Sequence, residues 1–399
     1  MNRLFYFNPT CELAIVNGRV SYMPPDRLKQ FEYDLDVMPM WLADSNDYVL
    51  VSKNIPDSFI EMLQCASVST PQFVLNVNDI KTGVISNFCP WGWSPAVYKV
   101  FEPFFNLSSH GWQKSNFKSW QNFHKILLSR FSGYELINHV VDILQNNKGS
   151  FDLLSIPSKP IKVLSIEDII LLMERMEFPI LLKTPWSASG RGLFKIRDRF
   201  EPITSNNWIK GKLREQKTLF AEPFLSKIQD LSFHFWIDNH GIDYRGVNFF
   251  ESDIKGAFQG CYINAVENES LQNFPLEEAL IQCKMVLQLA LERMKLINCY
   301  EGPAGIDAII FKNSKGDIVV HPSIEINLRN TMGLVNLGLR KYIHPDSSGF
   351  WRIRRSNNCF RKADIVLADG LICSGYMPLT PTNNSGKAYV VELTVEKGG

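Results

Sequence analysis

Apolar and polar residues alternate in short blocks through the first hundred positions. Tyr48-Val49-Leu50-Val51-Ser52 is rich in β-formers and reads as a strand. Pro56-Asp57-Ser58 opens a helix over Phe59 to Cys65, and Gln72-Phe73-Val74-Leu75-Asn76 is a further strand. Strands alternating with short helices predict a parallel, doubly wound α/β layer. The aromatic, turn-rich run Pro90-Trp91-Gly92-Trp93-Ser94-Pro95 is expected to pack at a domain edge.

From Trp112 to about Val141 the apolar spacing turns helical, with Leu127, Phe131, Leu136 and Val140 among the recurring positions. Ser165-Ile166-Glu167-Asp168 starts a helix as a capping box with Asp in the fourth place, running to Met176 before Pro179. Ile180 to Lys183 is a buried strand, followed by a glycine-rich turn and strands at Leu193 to Ile196 and Leu219 to Phe224. Strands near 231–237, 244–250 and 258–263 are separated by turn residues and so predicted antiparallel. Leu276 to Ile297 is the strongest amphipathic helix, opened by Pro275. Gly305 to Phe311, a turn at Asn313 to Asp317, and Ile318 to Asn327 form a hairpin. Past about residue 340 only a last strand, Ala388 to Val395, is legible.

Composition narrows the function classes. The 399 residues are 45% hydrophobic and 21% charged, with net charge +1, which suits a globular chain of two or three domains without a field for nucleic acid or anionic membrane. No apolar run approaches a bilayer span, and Asn8, Pro9 and Glu12 interrupt anything resembling a signal peptide. The eight scattered cysteines form no CxxC pair and, with the uncoupled histidines, no zinc pattern. A cytoplasmic protein with reduced thiols is expected.

The chemistry lies on the hairpin. Glu325, Asn327 and Arg329 sit at i, i+2 and i+4, so in a strand they share one face. With Asp307 on the partner strand they suit a hard cation and a polyphosphate. Upstream, Lys183 ends a buried strand and Thr184 to Gly192 forms a small-residue loop whose amides can approach phosphate. No GK[ST] closes it, and a strand rather than a helix follows, so neither the Walker A nor the dinucleotide pattern applies.

The order Lys183, glycine loop, Glu222-Pro223-Phe224-Leu225, Asp307, Glu325-x-Asn327-x-Arg329 resembles the ATP-grasp superfamily of carboxylate–amine ligases over roughly residues 110–335. The resemblance implies a doubly wound N-terminal layer (1–110), then an ATP-grasp fold of two α+β subdomains clasping ATP (111–335, glycine-loop subdomain about 180–225), and a C-terminal extension packed on it (336–399). It implies ATP and two Mg²⁺ ions as cofactors. Lys183 would contact the α- and β-phosphates. Ser187, Ser189, Gly190, Arg191 and Gly192 would close over the triphosphate. Glu222 would meet the adenine amino group, the backbone of Phe224 and Leu225 its ring edge, and Asp230 the ribose. Asp307, Glu325 and Asn327 would ligate metal, with Glu325 bridging two ions; Arg329 would serve the transferred phosphate or the acyl substrate, and Lys255 the γ-phosphate. An earlier basic residue also belongs to the pattern; Lys118, Lys125 and Arg130 compete for it, and Lys125 is our choice.

The implied substrates are a small-molecule or peptide carboxylate and an amine, with no nucleic acid and no membrane, and with homo-oligomerisation left open. Asn8, Glu12 and Asn17 are suggestive N-terminal substrate contacts. Trp351-Arg352-Ile353-Arg354-Arg355 with Arg361-Lys362 reads as a solvated basic face, or alternatively as a collar for an anionic acyl substrate. The competing functions are a nucleotide-binding module without turnover and a phosphotransferase.

Overall fold

The computed structural model describes residues 2–81, 83–147, 149–187, 190–253, 256–264, 268–356, 361–382 and 387–398. The N-terminal layer is built on β1 (Asn2–Tyr6), β2 (Tyr48–Leu50), β3 (Gln72–Val74) and β4 (Ile85–Pro90), all parallel, in the order β3-β2-β1-β4. Successive side chains enter different cores, as strand geometry requires. Leu4, Tyr48 and Ile85 join the helix Arg130–Asn146 and the strands beyond it, while Phe5 and Val49 meet Leu35, Met38 and Trp41. The Pro90 to Pro95 run is nearly all interior, with Trp91 2% exposed. It ties this layer to the hairpin through Asn330, whose amide donates to the Trp91 carbonyl at 2.9 Å.

A small antiparallel sheet follows: β5 (Ile161–Val163), β6 (Ile180–Lys183), β7 (Leu193–Ile196) and β8 (Leu219–Pro223), ordered β5-β8-β6-β7. It has its own core, with Ile169, Ile180, Leu182, Ile196 and Leu219 at its centre. The predicted capping box is present. Ser165 Oγ accepts from the Asp168 amide at 3.1 Å, and the Asp168 carboxylate accepts from the Ser165 amide at 3.1 Å.

The third sheet has nine strands: β9 (Lys227–Asp238), β10 (Gly241–Ser252), β11 (Phe258–Ile263), β12 (Gly302–Lys312), β13 (Ile318–Asn327), β14 (Ser347–Arg355), β15 (Val366–Ala368), β16 (Leu371–Pro378) and β17 (Tyr389–Lys397). Their order is β13-β12-β9-β10-β11-β14-β17-β16-β15, and every pairing is antiparallel. The helix Leu276–Met294 buries Ala279, Cys283, Val286, Leu287, Ala290 and Leu291, one apolar stripe. It stops three residues short of the expected end because Lys295 turns left-handed, at φ 53°. The tail also differs from expectation: β14 to β17 continue the same sheet by pairing β14 to β11. No helix among the described residues is long and apolar enough to cross a membrane.

A helix not foreseen in the sequence, Met332–Arg340, locks the large sheet to the N-terminal layer. Asn336 accepts from Trp351 Nε1 at 2.8 Å and donates to the Tyr262 carbonyl at 2.9 Å. A Cβ on Gly338 would run into the Trp41 carbonyl oxygen, which is backbone and cannot swing aside. Gly338→Ala should therefore destabilise the protein by about 1–3 kcal/mol, the usual cost of overpacking. Urea unfolding measures it, and a midpoint equal to wild type would contradict this close approach.

Candidate functional site

The hairpin of β12 and β13 sets Asp307 directly opposite Glu325, and Gly305 opposite Asn327. Opposed residues share a face, and two carboxylates so placed repel. Burial, and then the Glu325 charge, push the Asp307 carboxyl up to about 7. Asn327 Nδ2 donates to Asp307 Oδ2 at 3.1 Å.

Two guanidiniums flank the pair. Ser129 caps the helix Arg130–Asn146, its Oγ accepting from the Phe131 amide at 3.2 Å, and so fixes Arg130 at the first helical position. That helix packs on β13, with Gly133 beside Ile326. Arg130 donates to Glu325 Oε2 at 3.0 Å, to Ser187 Oγ at 2.9 Å, and to the Thr184 carbonyl. Burial opposes the Arg130 charge, but Glu325 raises its pKa above the ordinary value. On the other side Arg329 Nε donates to Glu12 Oε1 at 2.9 Å. Glu12 belongs to the short helix Cys11–Asn17 of the N-terminal layer. Here too burial opposes the charge, and Glu12 more than restores it.

Lys183 closes β6 and forms a 2.6 Å ion pair with Glu222 on the neighbouring β8, both side chains nearly buried. Tyr134 donates to the other Glu222 oxygen at 3.3 Å. The glycine loop folds back on itself: the Thr184 amide donates to the Gly192 carbonyl at 2.9 Å. A Cβ on Gly192 would strike Ser187 and Thr184, so this loop is tight enough to need glycine there.

One cavity of about 670 Å³ joins these parts. Asp307, Glu325, Asn327, Arg329, Arg130, Ser187, Gly190 and Arg191 all line it. Lys183, Gly192, Glu222, Phe224, Leu225 and Asp230 stand outside its wall. The Phe224 amide already donates to the Pro179 carbonyl at 2.9 Å, so a ring-edge hydrogen bond from that residue falls to its carbonyl. Leu225 packs with Ile324 against Ile309, Phe311 and Val319. Asp230 is engaged by Lys227 and by Ser252 Oγ, the latter at 2.7 Å. Lys125 does not line the cavity: its Nζ lies 5.0 Å from the centre of the Trp186 ring. Among the three competing basic residues, Arg130 is the one in contact with Glu325. Ser189 and Lys255 lie outside the described residues. Of the N-terminal candidates, Asn8 holds the Gly92 carbonyl at 2.7 Å, Glu12 holds Arg329, and Asn17 accepts from the Arg19 amide.

Sequence reasoning left Glu12 without its partner, and it passed over Arg130, although Ser129 is a legible N-cap. It also missed Asn248, Arg27 and Tyr389 as lining residues. Among the described residues no three His, Cys, Asp or Glu side chains stand together as a metal site. Two half-buried, mutually repelling carboxylates and an amide oxygen nevertheless fit a hard cation that takes its other ligands from phosphate and water.

No family model matches the sequence, and no curated protein matches it. Solved structures do match. The biotin carboxylase domain of Hydrogenobacter thermophilus 2-oxoglutarate carboxylase, solved with MgADP, ADP and bicarbonate, is similar at 11% identity and TM-score 0.50, over 98% of this chain and 85% of that one. N5-carboxyaminoimidazole ribonucleotide synthetase from Thermus thermophilus is similar at 11% identity and TM-score 0.50, over 100% of this chain and 94% of that one. At such identity the likeness is one of fold.

Proposed function

Because the chain has the fold of the ATP-grasp superfamily, we propose that it is an ATP- and Mg²⁺-dependent ligase joining a carboxylate to an amine. The substrate carboxylate attacks the γ-phosphorus of ATP and ADP leaves, giving an acylphosphate. The amine then attacks the acyl carbon and phosphate departs. One observation carries the reading: Asp307 and Glu325 oppose each other on a buried strand pair, with Arg130 and Arg329 on either side. Phosphoryl transfer needs charge neutralisation and in-line positioning more than covalent help, and this set offers both.

Asp307, Glu325 and Asn327 would hold Mg²⁺, which when bound neutralises β- and γ-phosphate oxygens. The MgADP of the similar biotin carboxylase domain accords with that choice. Arg130, rather than Lys125, would bind phosphate as the early basic residue of the pattern. Lys183 would release Glu222 to reach the α- and β-phosphates, freeing Glu222 for the adenine amino group. The Ser187 to Gly192 loop, including Ser189, would cover the triphosphate with its backbone amides and serine hydroxyls rather than with the Arg191 guanidinium. The Phe224 carbonyl and Leu225 would border the base, and Asp230 and Lys255 keep their proposed places at ribose and γ-phosphate. The divisions 1–110, 111–335 and 336–399 stand as functional units in the same proposal.

Incubation with Mg-ATP and a panel of acids and amines tests it. ADP and phosphate should form only when an acid is supplied. Tight Mg-ATP binding with no ADP from any acid would overturn turnover in favour of a nucleotide-binding role. Within that assay Arg130→Ala should lower kcat/KM on the order of 10²-fold, as for loss of one preorganised donor. Lys125→Ala should change it by less than about threefold, since it forfeits only a cation–π contact with Trp186 outside the cavity. The reverse ranking would return the phosphate role to Lys125.

A further inference from the structure

The cavity has a second charged end that the ligase chemistry does not use. Arg27, Arg191, Arg354, Arg355 and Tyr389 line it together with the metal-binding end. Tyr389 stands on β17, which lies five strands from β12 in the sheet. The twist of the sheet shortens the direct path, yet the two ends remain separate places in one cavity.

The arginines at this end differ in how they are satisfied. Arg352 and Arg354 both pair with Glu392 on the adjacent strand, at 2.9 and 2.7 Å. That part of the run is the solvated, neutralised face expected of a basic strand. Arg361 likewise pairs with Asp364. Arg27, Arg191 and Arg355 do not follow suit: none of them forms an ion pair with a carboxylate among the described residues. Arg27 Nε instead donates to the Tyr389 hydroxyl at 3.1 Å. Against burial, which raises it, Arg27 and then Arg355 hold the Tyr389 phenol below its ordinary pKa. Burial, and then the neighbouring Arg27 charge, lower Arg191. Arg27 and Arg191 repel each other at one cavity mouth, Arg355 stands by the same phenol, and none of the three has a carboxylate at ion-pair distance among the described residues. Guanidinium forks match carboxylate and phosphate oxygens.

We propose that the acid substrate carries a second anionic group, a carboxylate or a phosphate, which Arg27, Arg191, Arg355 and the Tyr389 hydroxyl bind at the end of the cavity away from Asp307 and Glu325. This rests on the ligase reading: one end of the substrate is activated at the γ-phosphate while the other is held here. A monoanionic acid lacks the second grip.

The test is a calorimetric titration of the full chain, with Mg-ADP present, using glutarate, phosphoglycolate and butyrate as probes. At least one of glutarate and phosphoglycolate, the two acids with a second anionic group (the dianions for short), should bind about tenfold or more tighter than butyrate, the increment expected of one charge-assisted contact. Whether glutarate or phosphoglycolate wins tells carboxylate from phosphate. In Arg27→Gln/Arg355→Gln that preference should disappear, while Mg-ADP affinity stays within twofold of wild type and so reports an intact fold. The single variant Arg355→Gln should lose part of the preference. Equal binding of dianions and butyrate, or a preference that survives the double variant, overturns the proposal. So does a joint loss of Mg-ADP affinity at an unchanged melting temperature, which would put these arginines at the nucleotide. Failure of the wild type to bind Mg-ADP is a separate result: it overturns the ATP-site reading, whereas the proposal stands or falls on the dianion preference.

Discussion

Glu325→Gln should nearly abolish ADP release while leaving the protein folded. The substitution keeps shape and one oxygen, but removes the charge that faces Asp307, Arg130 and the proposed cation. Loss of one preorganised electrostatic contact of this kind costs on the order of 10²–10³ in kcat, and loss of a metal ligand acts on Mg-ADP affinity as well. Stability responds to two opposed effects. Arg130, whose side chain is only 8% exposed, loses its ionic partner, worth about 1.5–3 kcal/mol for a hydrogen bond to a charged group. Asp307 gains, because Glu325 is the second cause of its elevation to about 7. Without that neighbour Asp307 ionises at lower pH and its burial is less strained at neutrality. The net change in unfolding free energy should therefore be much smaller than the change in turnover. Steady-state ADP release, Mg-ADP titration and urea unfolding separate the three quantities. Turnover within about threefold of wild type would remove Glu325 from the site.

How far the site could be read from sequence depends on how local its chemistry is. The hairpin of β12 and β13 was legible because its alternation has period two and its turn is self-contained. Asn313 Oδ1 accepts from the Lys315 and Asp317 amides, both at 2.9 Å. Glu325, Asn327 and Asp307 follow from that register. Arg130 was within reach but not taken: choosing it over Lys125 requires knowing that Ser129 is the cap, which turns the next residue toward Glu325. Glu12 and Arg329 are 317 positions apart, and no pattern in either segment announces their pairing. The same holds for the closure of the tail. The Asp34 carboxylate accepts from the Ala388 amide at 2.8 Å and the Tyr389 amide at 3.0 Å, bringing Tyr389 beside Arg27. The strands after residue 340 were hidden for a related reason. Arg352 and Arg354 look like a charged surface run until Glu392 is set opposite them in β17. Cross-strand pairing of charges stabilises such strands, but only the finished sheet shows which charges meet.

Arg329→Lys should lower kcat/KM by about 10²–10³-fold, and Glu12→Gln should produce a different kinetic signature. Arg329 lies on the cavity wall beside Asn327 and Glu325, where the acid meets the γ-phosphate in the proposed reaction. Lysine keeps the charge but loses the planar fork, so the geometry of the contact fails rather than its sign. Glu12 acts through Arg329. Its carboxylate holds Nε at 2.9 Å while Nη1 donates to the Asn330 carbonyl at 3.2 Å, which leaves Nη2 to reach the cavity. Glutamine at position 12 can still accept that hydrogen bond but no longer neutralises the guanidinium. A less neutralised Arg329 attracts the ground-state anion more strongly and is held less firmly for the transition state. Tighter ground-state binding with poorer positioning lowers KM and kcat together. We expect a fall of roughly tenfold in kcat with KM unchanged or reduced, against the Lys variant, in which kcat/KM collapses. In the double variant the two effects should not add, because both operate through one side chain. A Glu12→Gln enzyme with wild-type kcat and KM would reduce Glu12 to a structural anchor. Additive losses in the double variant would mean that Glu12 touches the substrate itself, and that the N-terminal helix is a wall of the acid site in its own right.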